Sequence, residues 1–202
     1  LWDLIRDLVG REFRQEKIAA QELVPVIVER KQLLTDLSRA LAFDEREPLA
    51  LRCSALFAYA ALARERSVDG LIEVLLDVKN SHRFRDAALV ALGHSQSELA
   101  IAPLCRVFRD ESTPLSTREA ALLGLQRLWE HPAAFATLEE ALRDNDPRLR
   151  LTAARMTKDL VGERFRPLLE QALARELDAQ VTEELSHSLN RGQRSRRKRV
   201  KE

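Results

Sequence analysis

Four histidines, His82, His94, His131 and His187, and two cysteines, Cys53 and Cys105, are the side chains that could hold a transition metal or act as nucleophiles. Metal sites announce themselves by ligands at close spacing, such as Cys-x-x-Cys or His-Glu-x-x-His, because the donors must converge on one ion. Neither spacing occurs, and serine and cysteine nucleophile motifs are missing as well. The cysteines lie in apolar stretches and read as small buried hydrophobes rather than as a disulfide or reactive pair. Gly10, Gly70, Gly93, Gly124, Gly162 and Gly192 are isolated, so no glycine loop can cradle a phosphate. The acid pairs Glu139-Glu140 and Glu183-Glu184 fall on polar helical faces and read as solvated surface. Base-excision chemistry would need aromatics against a cationic base and an acid at the glycosidic bond, for which Tyr59, Phe57, Trp129 and Asp86 are the available parts. Trp2 and Phe135 show that aromatics are few and scattered, and the Trp129 ring is expected to cover the next structural unit instead.

The charged residues with a regular spacing are of another kind. Asp44, Asp77, Asp110 and Asp144 are 33, 33 and 34 residues apart, and Arg52, Arg85, Arg118 and Arg150 are 33, 33 and 32 apart. Ala55, Ala88, Ala121 and Ala153 stand three residues after the arginines, and Leu71, Leu104 and Leu138 stand six before the last three acids. A period held in several registers at once marks an array of stacked units. An arginine in the first turn of a helix opposes the helix dipole, so it must be held by a carboxylate or by open carbonyls at the end of the preceding helix. The four acids and four arginines are therefore expected to anchor the repeat, tying one turn to the next, and the alanines to sit where helices approach most closely.

The elements that must position these residues are helices. Hydrophobic residues make up 45% and charged residues 32%, against 6 Gly, 7 Pro and 5% aromatics, a composition poor in turn formers and sheet-preferring side chains. Each unit reads as an apolar-periodic segment up to the acid, a polar turn, and a second periodic segment opening near the arginine. First segments are expected over 31–43, 69–78, 99–109 and 134–143, and second segments over 48–64, 82–93, 115–130 and 147–161. A shorter fifth pair is expected over 165–174 and 178–189, ending at Asn190 and Gly192. Pro48, Pro114 and Pro147 stand where a helix tolerates proline, with Asp146 and Asn80-Ser81 as capping residues. Residues 2–9 and 14–29 look helical but match the repeat poorly. The organisation predicted is a helical N-terminal cap or continuation of an upstream segment over 1–30, a solenoid over 31–190, and a disordered basic tail over 191–202.

The quoted stretches Asp144-Asn-Asp-Pro-Arg-Leu-Arg150-Leu-Thr-Ala-Ala154, Phe84-Arg85-Asp-Ala-Ala-Leu-Val-Ala-Leu-Gly93 and Leu115-Ser-Thr-Arg118-Glu-Ala-Ala-Leu-Leu-Gly-Leu125 resemble HEAT-like repeats, in the short form related to the phycobilisome lyase repeats. The resemblance covers residues 32–163, extends loosely to 190, and implies an all-α, right-handed α-solenoid of antiparallel helix pairs. It implies that the acids and arginines connect the turns and that the second helices line the inner surface. The link from Asp144 to Arg150 is six residues where its siblings have eight, which leaves Asp146 as a second partner for Arg150.

Such repeats serve as scaffolds, as chromophore-lyase subunits and as DNA-repair glycosylases, and the fold cannot choose among them. A non-enzymatic protein–protein interaction scaffold without a cofactor is the expected function, its solenoid surface taking a protein or peptide. A nucleic-acid-binding or repair protein and a chromophore-lyase-related subunit are the alternatives. Arg191, Arg194, Arg196, Arg197, Lys198, Arg199 and Lys201 give the last twelve residues a balance of +6, leaving −5 for residues 1–190. Weak polyanion contact is therefore expected through the tail. No apolar run is long enough to span a bilayer, and a cytoplasmic location is expected.

Overall fold

The computed structural model describes residues 20–157 and 165–199. The described elements are α1 (Ala20–Phe43), α2 (Leu49–Ala63), α3 (Val68–Leu76), α4 (His82–His94), α5 (Ile101–Arg109), α6 (Leu115–Leu125), α7 (Pro132–Ala141), α8 (Pro147–Thr157), α9 (Arg166–Leu173) and α10 (Ala179–Arg199). Short 3-10 turns over Arg64–Ser67 and Glu98–Ala100 lead into α3 and α5. No strand occurs among the described residues.

The second helices form one continuous layer: α2 packs on α4, α4 on α6, α6 on α8, and α8 on α10. Each also packs on the first helix of its own pair, and α5 packs on α7 in the other layer. The chain is thus an α-solenoid in which each unit completes the core of its neighbour. Leu71, Leu104 and Leu138 fill that core from the first helices, and Leu56, Leu89 and Leu122 from the second, all buried. Each such leucine contributes about 1.5 to 3 kcal/mol of transfer free energy. Ala55, Ala88, Ala121 and Ala153 are buried as well.

Helix starts follow the local chemistry. Ser81 caps α4 by accepting the Phe84 N–H, and Asp146 accepts the Arg148 N–H at 2.8 Å where Pro147 opens α8. His131 caps α7 through its Nδ1, which accepts the Ala133 N–H. Two non-glycine residues between units have left-handed backbones, Arg64 (φ 53°) and Gln96 (φ 51°). Their side chains bond one another, Arg64 Nη2 donating to Gln96 Oε1 at 2.9 Å, so one interaction holds two strained linkers.

Three boundaries differ from the sequence expectation. The first helix of the array is one element from Ala20 to Phe43, so no helix end marks residue 30. Helix α6 stops at Leu125 rather than 130, because Gln126, Leu128 and His131 each donate to the carbonyl three residues back and tighten the chain into turns. Helix α10 continues to Arg199, so the expected ends at Asn190 and Gly192 are not helix ends. Arg, Lys and Gln favour helix, and a lone glycine costs only about 1 kcal/mol.

The backbones of α4 and α6 approach closely where Gly93 meets Gly124. A Cβ built on Gly93 would fall on the Gly124 carbonyl, and one on Gly124 would come within 2.5 Å of the Leu89 oxygen. At Gly70 the nearest atom is Phe43 Cζ at 3.7 Å, an ordinary contact. Gly93→Ala should therefore destabilise the fold by about 2 to 3 kcal/mol through overpacking, while Gly70→Ala should be neutral or stabilising by up to about 1 kcal/mol through helix propensity. Thermal melts of the two variants check the contrast; equal midpoints would refute the close approach.

Candidate functional site

The turn inside each unit is built around its acid. Asp44 Oδ1 accepts the Arg46 N–H, Asp77 Oδ1 that of Lys79, Asp110 Oδ1 that of Ser112, and Asp144 Oδ1 that of Asp146, all at 2.9 to 3.0 Å. A carboxylate that bonds the N–H two residues on closes an Asx turn, and this is the shared work of the four acids. Asp44 also holds the Arg46 guanidinium, which draws its carboxyl down to about 2. The hydroxyls of Ser112 and Thr113 lower Asp110 in the same way.

The arginines lie beneath these turns. Arg52 Nε donates to the Ala42 carbonyl at 3.2 Å, and Arg118 Nε to that of Phe108 at 2.7 Å, each two residues before the acid of its own unit. Their outer ends cross into the next unit by different means. The Arg52 guanidinium stands 4.3 Å over the Phe84 ring, whereas Arg118 Nη2 pairs with Asp144 at 2.7 Å. Arg150 pairs with Glu176 through two parallel bonds of 2.8 Å and adds the carbonyls of Asp144 and Asn145.

Arg85 departs from this pattern. Its Nη2 lies 3.0 Å from His82 Nδ1, and its buried Nε has no partner. In the next unit Asp110 is engaged by Ser112 and Thr113, so the carboxylate that Arg118 and Arg150 find has no counterpart here.

Asp146, offered by the sequence as a partner for Arg150, caps α8 instead. The partner that sequence reasoning missed is Glu176, whose Oε1 also accepts the N–H groups of Leu177 and Asp178. It stands 32 residues after Asp144 and continues the acid period. A glutamate in place of aspartate hid it.

Other bonds stitch the junctions at the surface. Thr117 donates to Asp86 at 2.7 Å, Arg148 to Glu119 at 2.8 Å, and Arg109 to Glu140 at 2.7 Å. Trp129 packs edge-on against Phe165 with ring centroids 5.0 Å apart, and Tyr59 is buried against Phe43. Asp86 on α4, Tyr59 on α2 and Trp129 in the turns after α6 are thus engaged in packing and junction bonds in three different places. Cys53 and Cys105 are free thiols, Cys105 buried and Cys53 half-buried, and burial raises the Cys53 thiol.

One apolar register is only partly covered by the core packing. Five residues after the arginines of the first three units stand Phe57, Val90 and Leu123, on the adjoining helices α2, α4 and α6. Phe57 and Val90 are half-buried and Leu123 is 41% exposed. The Phe57 ring lies 5.4 Å from that of His94, which burial holds below the usual histidine value. In the fourth unit the register ends in exposed Arg155, which faces Glu184 at 3.7 Å. The basic residues of the C-terminal run lie partly on α10, with Lys201 outside the described residues.

Residues 111–190, from the third intra-unit turn through most of α10, match the sequence profile of HEAT repeats. No curated protein matches the chain. Among the described residues, no helix is long and apolar enough to cross a membrane, and no three His, Cys, Asp or Glu side chains come together as a metal set.

Two measurements check the ladder. Glu176 is only 3% exposed, and pairing with Arg150 lowers its carboxyl, helped by the backbone N–H groups. A carboxylate depressed by folding adds stability above its unfolded value of about 4.3, which is lost as pH falls through the folded value. Glu176→Gln should melt below the parent at pH 7, and the gap should close below about pH 4. A gap independent of pH would contradict the pairing. Double-mutant cycles should give about 1 to 3 kcal/mol of coupling for the largely buried Arg118–Asp144 pair and a clearly smaller coupling for the solvent-screened Arg46–Asp44 pair.

Proposed function

We propose that the chain is a non-enzymatic interaction scaffold that takes a protein or peptide on its second-helix layer. The observation that carries this reading is the strip Phe57, Val90 and Leu123, which repeats one apolar position across three units on the solvent side of α2, α4 and α6. Packed helices stand about 8 to 10 Å apart, so the strip offers three apolar contacts at regular intervals. An extended segment rising about 3.3 Å per residue meets it at about every third residue. The match to HEAT repeats supports the reading, because such arrays commonly serve protein–protein interaction.

The finer parts of the proposal rest on the resemblance. They are a right-handed superhelix of antiparallel pairs and kinship with the phycobilisome lyase repeats; a cytoplasmic setting is proposed beside them and does not rest on the resemblance. The turn acids and the arginine column act in it as structural anchors rather than as ligand contacts. The basic run from Arg191 to Lys201, which begins on α10, adds weak, salt-sensitive contact with polyanions.

The test begins with the partner that co-purifies with the full chain, identified by mass spectrometry. Leu123→Glu and the milder Val90→Thr should each weaken its binding, the first at least about tenfold, about 1.4 kcal/mol, with the melting temperature retained for Leu123→Glu. Residues 1–190 should bind it as the full chain does. Binding that survives both substitutions and vanishes with the tail would overturn the scaffold reading. Labelled DNA or RNA should bind the full chain without sequence preference, weaken steeply with salt, and be lost by residues 1–190.

A further inference from the structure

Charge is placed unevenly on the two sides of the strip formed by Phe57, Val90 and Leu123. Helix α2 carries no carboxylate, and α4 and α6 carry one each, Asp86 and Glu119. These stand four residues before Val90 and Leu123, one turn toward the start of each helix. Both are engaged at the junctions: Asp86 accepts the Thr117 hydroxyl at 2.7 Å, and Glu119 is held by Arg148 and Thr152 of the next unit.

The opposite side, at the ends of the same helices, is cationic. Four residues after Val90 stands His94, and four after Leu123 stands Arg127. The Phe57 ring lies 5.4 Å from that of His94. Burial and then the charge of Arg127 hold His94 below the usual histidine value, which sets the Arg127 guanidinium near that ring. From the linker after α2, Arg64 reaches Gln96 Oε1 at 2.9 Å, two residues beyond His94. Arg64 and Arg127 are exposed, and neither pairs with a carboxylate among the described residues. Glu65 and Glu130, exposed acids of the same linkers, stay beyond ion-pairing distance, and Glu98 lines the cleft between α5 and α7. In the fourth unit, where the apolar register ends, every arginine of α8 faces a carboxylate: Arg148 Glu119, Arg150 Glu176, and Arg155 Glu184. The uncompensated guanidinium groups of Arg64 and Arg127 thus border the same units that carry the strip.

We infer that the strip takes an extended acidic segment of a partner protein, apolar at about every third residue, with carboxylates between those residues directed at Arg64 and Arg127. The inference rests on the strip being the binding surface and adds the chemistry of its occupant. Helices about 8 to 10 Å apart set the apolar period, and the residues between the apolar contacts fall to either side of the strip. On one side they meet two guanidinium groups without counter-charge. On the other they meet carboxylates already bonded within the array. A basic segment would be repelled by the first side, and like charge of this kind rejects a wrong partner as effectively as opposite charge selects the right one. The balance of −5 over residues 1–190 attracts basic segments without specificity, so a preference for acidic ones would report this edge and not the net charge.

Displayed peptides with leucine at every third position and any residue between them test the inference. They are selected on the full chain and cleared of those that also bind the Leu123→Gln variant. That change removes the apolar contact without adding charge, and the clearing step discards peptides held by the C-terminal basic run. Asp and Glu should be enriched between the leucines. Arg127→Glu should weaken the selected peptides about threefold or more in fluorescence anisotropy, Arg127→Lys should retain them, and Arg197→Gln should leave them unchanged. Melting temperatures should stay at the parent value, since Arg127 is exposed and unpaired. Leu123-dependent peptides with neutral or basic residues between the leucines would overturn the inference and leave the strip as a binding surface. Acidic peptides indifferent to Arg127→Glu would overturn it as well. A selection that yields no Leu123-dependent peptide would overturn both the inference and the reading on which it rests.

Discussion

The structure depends on how closely its second helices can approach one another. Where α4 meets α6, the contact is glycine against glycine, with carbonyl oxygens in the space that a Cβ would take. The alanine column on α2, α4, α6 and α8 is buried throughout. Small residues forgo side-chain burial, and what they gain is a distance at which the leucines of both layers interdigitate. Small residues recur in this register with the period of the repeat because a unit that placed a larger side chain there would wedge its neighbours apart.

Charge is arranged around that packing rather than in it. The acids close turns and the arginines reach from the end of one first helix toward the next unit, so the ladder runs along an edge of the array. Its members are not equivalent. A guanidinium over a ring, a single ion pair and a bidentate pair perform one bridging task in three units, while Arg85 lacks the bridge at the α4–α6 junction. A buried donor without a partner costs about 1 to 3 kcal/mol, a cost the packing there must offset.

Much of the fold was legible because its determinants are periodic. Leu71, Leu104 and Leu138 and the four alanines appear in the sequence at the spacing with which they enter the core. The capping roles of Ser81 and Asp146 were legible from residue type and place. The rest depends on three-dimensional neighbours. An isolated glycine reads alike whether it faces water or another backbone, so Gly93 and Gly124 could not be paired from spacing. Arg150 was assigned a local acid because sequence shows nearness along the chain, whereas Glu176 reaches it from the following unit. The break expected at residue 30 reflected loss of the repeat pattern, which α1 crosses as one helix. The strip of Phe57, Val90 and Leu123 was present in the sequence, but its exposure becomes visible only once the layer is built.

Hydrogen exchange of the native chain, resolved by residue, tests directly whether the second-helix layer holds the array together. Amides exchange through local openings whose free energies rank the parts of a structure. Protection should be greatest in α4 and α6 around Leu89, Gly93 and Gly124, lower in α3 and α5 of the same units, and should decline toward α10. First helices protected as strongly as the second, or protection centred on the charged turns, would contradict the account.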